Sequence, residues 1–156
     1  MNMDEFNADG GRRRATWNGK GALAFTVAAF VVLTVASALT KRPWSDEGHL
    51  ASASYNLAAN GSMGTLMLPE ENSVGFQGIS RHTYWIMPLT MVSQAGWYRL
   101  FGFSLFSQRA MSIAFGLLAV LCCFWLLRQL SGNPAVALLG ALIVATDYAV
   151  VNQASM

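Results

Sequence analysis

The chain has 156 residues, of which 54% are hydrophobic and only 12% are charged. Charged residues make up about a quarter of an average soluble domain, so the composition excludes an ordinary soluble protein and indicates a membrane protein. The net charge is +2, and the basic residues are spread along the chain apart from a cluster at 12–14, which gives no support to nucleic-acid binding.

The first predicted element is a transmembrane helix at residues 21–40. No charged residue lies between Lys20 and Lys41. A helix of this length, at about 1.5 Å per residue, covers roughly 30 Å, which is the thickness of the hydrocarbon core of a bilayer. Residues 36–38 have the small-residue pattern of a signal-peptidase site. The apolar run exceeds the usual length of a signal core, so a spanning helix is favoured over a cleaved signal.

Charges on either side of this helix predict its orientation. Arg12, Arg13, Arg14 and Lys20 precede it, whereas two basic residues follow it. Because positively charged flanks stay in the cytoplasm, residues 1–20 are predicted to be a cytoplasmic tail, and their polar, glycine-containing composition predicts disorder. The predicted location is the inner (plasma) membrane, with several spans among the membrane lipids and a cytoplasmic N-terminus.

The next segment, residues 41–106, is predicted to be a loop on the outer face with two amphipathic helices. The first, at about 46–60, follows a proline and ends at an Asn-Gly pair. The second, at 88–101, starts with a proline and ends before a glycine. Helices of this kind lie on a membrane surface. The predicted apolar face of the second helix consists of Leu89, Val92, Gly96, Leu100 and Phe101.

Two more transmembrane helices are predicted, at residues 107–130 and 134–154. An uncharged run close to the minimum length of a span underlies each of them, and a Ser-Gly-Asn-Pro turn separates them. Asp147 lies inside the third helix; an acid there is a candidate functional residue, although near the outer boundary it can simply reach water. The predicted fold class is therefore all-α: a polytopic membrane protein with three transmembrane helices and two amphipathic helices in its first outer loop.

The residues best suited to chemistry are Asp46 and Glu47, which follow shortly after the first span. A carboxylate at the membrane surface can act as the general base for an acceptor hydroxyl, a contribution of roughly 10²- to 10⁴-fold. On spacing alone, the commoner explanation of two acids in a first helical turn is a favourable interaction with the helix dipole. Adjacent helical positions point in different directions, so one carboxylate is expected to do chemistry and the other to orient or bind.

Arg81, Arg99 and Arg109 are the outer cations. The guanidinium group matches phosphate geometry, and Arg109, followed by Arg81, is the predicted contact with a lipid phosphate. The alternative for Arg109 is a flanking residue that extends towards water from the helix end. A divalent metal is conceivable at Asp46 with His49 and His82, but these residues form no defined motif, so neither a metal site nor another cofactor is predicted.

Seven short motifs occur in order along the chain. They are RPWSDEG at 42–48, NLAANG at 56–61, GT at 64–65, PL at 88–89, WYRLFG at 97–102, SQR at 107–109 and AFGLL at 114–118. Over residues 20–156 the chain thus resembles the opening of the GT-C class. The closest group is the dolichyl-phosphate-mannose-protein mannosyltransferase-like superfamily, which includes the aminoarabinose transferases of lipid A.

The resemblance implies transfer of a hexosyl or pentosyl sugar from a polyprenyl-phosphate donor to a lipid, glycan or protein acceptor on the outer membrane face. In that superfamily the acid at the position of Asp46 is the proposed catalytic base, and its neighbour, here Glu47, supports the site. Arg109 matches an arginine of the superfamily that lies near the donor phosphate.

Members of this superfamily have many more spans than three. The chain is therefore interpreted as the N-terminal part of such a glycosyltransferase, and this fragment is expected to be inactive by itself. The alternative function is a non-catalytic three-span scaffold or anchor protein, in which Asp46 and Glu47 only begin a helix. The sequence leaves the sugar and the acceptor open.

Overall fold

The regular secondary structure in the computed structural model of the chain is helical throughout the residues that it describes, which are 19–43, 45–65, 67, 78–83 and 88–156. The helices are α1 (Gly19–Thr40), α2 (Ser45–Asn60), α3 (Pro88–Phe101), α4 (Leu105–Ser131), α5 (Pro134–Thr146) and α6 (Tyr148–Ala154). The predicted all-α architecture of a polytopic membrane protein is confirmed. The predicted tail at 1–20 lies outside the described residues except for its last two positions.

Two helices, α1 and α4, are each long and apolar enough to cross a membrane, with a mean hydropathy of 2.4. The third apolar segment differs from the single helix predicted at 134–154, because α5 and α6 meet at a bend of 60°. The cause is Asp147, whose backbone is extended (φ −63°, ψ 129°) and whose carboxylate accepts a hydrogen bond from the Val150 amide. A side chain that caps a new helix in this way starts a second helical axis. The pair forms a broken span or a re-entrant element.

Helices α1, α4, α5 and α6 pack together, and we call them the bundle. Its buried centre combines Phe30 of α1 with Val120 of α4 and with alanines of α5 and α6. A methyl group added at Gly116 would lie 2.8 Å from both the Phe30 ring and the Ala154 side chain. Small residues of this kind let transmembrane helices approach closely. Large apolar side chains instead point outward, Leu130 for example being 75% exposed, as expected of a surface that faces lipid.

Helices α2 and α3, together with the segments 61–65 and 78–83, form a second region that we call the loop layer. Its two segments are joined by backbone hydrogen bonds, from the Thr83 amide to the Met63 carbonyl (2.7 Å) and from the Thr65 amide to the Ile79 carbonyl (2.9 Å). Gly64 is required at their closest approach, since a Cβ there would lie 1.9 Å from the carbonyl oxygen of Ser80. The loop layer is therefore a packed structure.

The face that α3 turns towards α2 is polar in part. Gln94 and Tyr98 are buried there, and the Ser54 hydroxyl of α2 donates a hydrogen bond of 2.7 Å to Oε1 of Gln94. The apolar face predicted from the sequence is on the other side, where Leu89 and Leu100 are 77% and 79% exposed. An exposed apolar face on an amphipathic helix suits contact with a membrane surface.

Candidate functional site

A buried ion pair joins the acidic end of α2 to the start of α4. Nε and Nη2 of Arg109 donate hydrogen bonds of 3.1 and 3.0 Å to the two carboxylate oxygens of Glu47. The two side chains are only 3% and 5% exposed. A two-pronged contact of this kind is among the strongest and most directional that a carboxylate can make. It holds the first turn of α2 in one position relative to the bundle.

The same arginine also reaches the end of α1. Its Nη1 donates to the main-chain carbonyl of Ala38 and, over 3.1 Å, to that of Lys41. The neighbouring Gln108 donates from Nε2 to the Glu47 carbonyl at 3.2 Å. Carbonyl groups at a helix end have no partner within the helix, and Arg109 supplies one to the carbonyl groups of Ala38 and, just beyond α1, of Lys41. Three chain segments thus meet at this side chain.

These contacts bear on the role expected of Arg109. Four of its five N–H groups are directed at protein oxygen atoms, and its charge is opposed by Glu47. The side chain is also buried, so it is not a flank that extends into water. Direct contact between Arg109 and a donor phosphate stays a prediction, and the observed geometry is that of a structural clamp.

The other predicted site residues lie in different places. Asp46 belongs to the first turn of α2, but its side chain lies outside the part of the chain that the structure describes. Arg81 is exposed in the turn at 78–81, and within the described residues no hydrogen bond or ion pair links its side chain to Glu47 or Arg109. The described residues contain no group of three His, Cys, Asp or Glu residues that could hold a metal ion.

Lys41 belongs to this site although the sequence suggested only a flanking charge. Its ammonium donates to the main-chain carbonyl of Asn152 (3.0 Å) and to the side-chain Oδ1 of the same residue (2.6 Å). Burial lowers the pKa of Lys41; the nearby Glu47 carboxylate opposes this shift and the Arg109 charge adds to it. The signal available in the sequence was a basic residue directly between a span and an acidic pair.

The residues around Lys41 also attach α6 to α1. The Ser37 and Ser155 hydroxyl groups lie 2.9 Å apart and share a hydrogen bond, and Asn152 lies on the same short helix. The end of α1, the start of α2, the start of α4 and helix α6 therefore meet at one end of the bundle. The last residues of α1 and the first residues of α4 are at the same end of the bundle, so the groups that meet here are all on the same side of the membrane.

A cavity of about 720 Å³ opens beside this end, between α3, α4 and α6. Apolar side chains such as Met111, Phe115 and Val150 line it, together with the polar groups of Gln94 and Gln153. Met111 is only two residues beyond Arg109, so the cavity begins next to the clamp. A mostly apolar cavity with a few polar groups is typical of ligand sites in proteins.

The fold and this site define a polytopic membrane protein with a buried carboxylate–arginine clamp at one membrane surface. Comparison with protein families adds that residues 84–156 match the sequence model of the dolichyl-phosphate-mannose-protein mannosyltransferase family. The resemblance predicted from the sequence is confirmed by this match, which covers just under half of the chain. It supports a glycosyltransferase-like membrane protein. No curated protein and no solved structure matches the chain.

Proposed function

We propose that the chain is the N-terminal part of a glycosyltransferase that moves a sugar from a polyprenyl-phosphate donor to an acceptor at the outer face of the inner membrane. One observation carries the proposal. Arg109 lies inside the segment that matches the mannosyltransferase family, and it is bound through two hydrogen bonds to Glu47 of the acidic pair. The acidic pair itself precedes the matched segment, so this contact connects it physically with the family region.

That contact supports a division of roles within the acidic pair. Both carboxylate oxygens of Glu47 accept hydrogen bonds from Arg109, so Glu47 is occupied in holding α2. Asp46 is then the member of the pair that serves as base. It takes the proton of the acceptor group while the acceptor atom bonds to the anomeric carbon and the bond from that carbon to the phosphate oxygen breaks. The lipid phosphate leaves with the bonding electron pair.

The donor phosphate needs a cationic environment as its negative charge develops. Arg81 is exposed and is the second cation proposed for it from the sequence. The lipid tail of the donor remains in the bilayer, next to the exposed apolar side chains of the bundle. With a cytoplasmic N-terminus, the clamp at the end of α1 lies on the outer face, where the acceptor is a lipid, glycan or protein.

The test is a transfer assay in membranes with radiolabelled polyprenyl-phosphate sugars. It uses this chain and, where the reading frame continues beyond Met156, the product of that longer frame. Asp46→Asn is expected to lower transfer by roughly 10²- to 10⁴-fold with unchanged expression, because the general base is lost. Asp147→Asn is the matched control: it makes the same chemical change at the exposed cap of α6, where asparagine caps equally well, and transfer should persist. Full activity of Asp46→Asn would contradict the proposed mechanism.

The alternative, a non-catalytic three-span scaffold, is favoured by the apolar face of α3, on which Leu89 and Leu100 are largely exposed. A scaffold of this kind binds a membrane partner through α3. Under that hypothesis Leu89→Ser with Leu100→Ser releases a co-purifying partner, whereas Asp46→Asn has no effect in any assay.

A further inference from the structure

Lys41 is a cation that neutral groups hold in place. Both acceptors of its ammonium belong to Asn152. Among the described residues, the ion pair at this end of the bundle is the one between Glu47 and Arg109, and Lys41 takes part in none. Its lowered pKa reflects partial burial, which the nearby Glu47 carboxylate offsets only in part.

The ammonium also has a donor left over. It carries three N–H groups, and Asn152 accepts from two of them, so the third has no acceptor among the residues that the structure describes. Arg109 offers no comparable opportunity, because Glu47 balances its charge and protein oxygen atoms accept four of its N–H groups. Of the two cations that meet at the clamp, Lys41 is the one whose charge and geometry suit an external anion.

The location indicates which anion this is. Lys41 directly follows the last residue of α1, a helix long and apolar enough to cross the membrane. The polar layer of a bilayer, which contains the lipid phosphates, begins where the hydrocarbon core ends. Lysine is a common phosphate ligand in proteins because its ammonium acts as a compact point charge.

We propose that Lys41, oriented by Asn152, binds a phosphate ester at the clamp end of the bundle. The inference rests on the proposed function in one respect, namely that the phosphate belongs to the head group of the polyprenyl donor. Lys41 then takes the phosphate-binding role expected of Arg109, and Arg109 keeps the acidic helix in place. Free inorganic phosphate offers the same chemistry, and the experiment separates the two sources.

The chain contains two lysines, Lys20 and Lys41, which allows a direct test with the purified protein in non-ionic detergent. Amine labelling by reductive methylation is followed at each lysine by mass spectrometry, with polyprenyl phosphate, the uncharged polyprenol or inorganic phosphate added. Polyprenyl phosphate is expected to slow labelling of Lys41 by about tenfold or more, as expected for a charge-assisted hydrogen bond, and to leave Lys20 unchanged. Polyprenol should protect neither lysine.

Variants provide a second measurement. Lys41→Met should weaken polyprenyl-phosphate binding by about tenfold or more, since one charge-assisted hydrogen bond is lost. Arg42→Met is the matched control, because it removes the same charge from the adjacent, exposed position, and an exposed charge is expected to change the affinity less than about threefold. Asn152→Ala keeps the ammonium of Lys41 but removes the Asn152 side-chain oxygen that orients it. Its affinity for polyprenyl phosphate should lie between those of Lys41→Met and Arg42→Met. It replaces Lys41→Met if that variant does not fold.

The outcomes are distinct. Protection of Lys41 by polyprenyl phosphate and by an equal concentration of inorganic phosphate supports the phosphate site and assigns it to free phosphate. Equal binding by Lys41→Met and the wild type overturns the role of Lys41 and leaves the donor class intact. The role of Lys41 is also overturned if no probe protects it from labelling. The transfer assay with Asp46→Asn tests the proposed function independently of these results.

Discussion

The bundle and the loop layer are held together by different kinds of contact. In the bundle, Phe30 and Val120 pack against alanines of α5 and α6. In the loop layer, Ser54 binds Gln94, and Asn56 donates to the Gly64 carbonyl at 3.0 Å. Polar side chains are buried in the layer beside an apolar cluster of Ala53, Met63 and Met91, and the apolar side chains on the other face of α3 are exposed. Large apolar side chains are therefore exposed in both regions, and what distinguishes the loop layer is that side-chain hydrogen bonds such as Ser54–Gln94 join its helices.

The reason is the solvent that each region faces. For a helix in lipid, the apolar side chains gain nothing from turning inward, so close packing of small residues decides the contact. For a helix at a membrane surface, the apolar side enters the boundary of the bilayer and the polar side is free to pack on protein. The Glu47–Arg109 clamp lies where the two regions meet, and it is the contact whose loss affects both.

The largest effect is expected from Arg109→Met, which leaves the Glu47 carboxylate buried and without its partner. Removing one partner of a buried ion pair costs about 3–5 kcal/mol. The free energy of unfolding in detergent should fall by this amount, and hydrogen exchange should rise first in α2 and at the end of α1. The variant thus separates the loop layer from the bundle.

Its control is the double variant Glu47→Leu with Arg109→Met, in which no unpaired charge remains. This variant should recover part of the lost stability, since replacing a whole buried pair by apolar side chains is often neutral. Glu47→Leu is also measured alone. If the losses of stability in Glu47→Leu and Arg109→Met simply add in the double variant, Glu47 and Arg109 do not act as a pair.

A smaller effect, confined to the bundle, is expected from Gly116→Ala. The added methyl group would meet the Phe30 ring and the Ala154 side chain at 2.8 Å, and overpacking of this kind costs about 1–3 kcal/mol. Gly140→Ala is the matched control, because its methyl group meets only the movable end of the Leu127 side chain. In thermal unfolding, Gly116→Ala should lose at least about 1 kcal/mol more of the free energy of unfolding than Gly140→Ala does. Equal effects would mean that close packing at Gly116 is not required.

The smallest effect is expected from Tyr98→Phe in the loop layer. The Tyr98 hydroxyl is buried and has no hydrogen-bond partner among the described residues, so its removal should leave stability unchanged or raise it by up to about 1 kcal/mol. A clear loss of stability at pH 7 would show that the hydroxyl has a partner.

The same residue predicts a dependence on pH. Burial raises the pKa of Tyr98 from 10.0 to about 12. As pH rises past 10, the unfolded chain loses this proton before the folded one does, so the stability that is fully present below pH 10 is lost by about pH 12. Thermal unfolding of the wild type should decline in this range more steeply than that of Tyr98→Phe. Parallel curves would contradict the raised pKa.

Much of the fold could be predicted because its signals are local. Uncharged runs mark the apolar helices, and proline and glycine mark where several helices begin or end. The break at Asp147 could not be predicted in this way. The local sequence does not distinguish an acid that caps a second helix from an acid inside one continuous span. The motifs of the mannosyltransferase family were recognisable in the segment that contains Arg109.

The candidate site was predicted only in part. Asp46, Glu47 and Arg109 were selected from their chemistry, but their partnership was not foreseen. Lys41 had no expected role beyond its charge at the end of a span. Arg109 was expected to face a phosphate, and in the structure its N–H groups face Glu47 and the end of α1.

The sequence by itself determined the membrane-spanning character of the chain, since the hydropathy of a segment depends on its own residues alone. Only the tertiary structure decided which cation is paired with a carboxylate and which one is held by the neutral groups of Asn152. Glu47 and Arg109 are 62 residues apart, and Lys41 and Asn152 are 111 apart. Contacts over such distances depend on how the helices pack, because a hydrogen bond forms only where two groups are brought within about 3 Å.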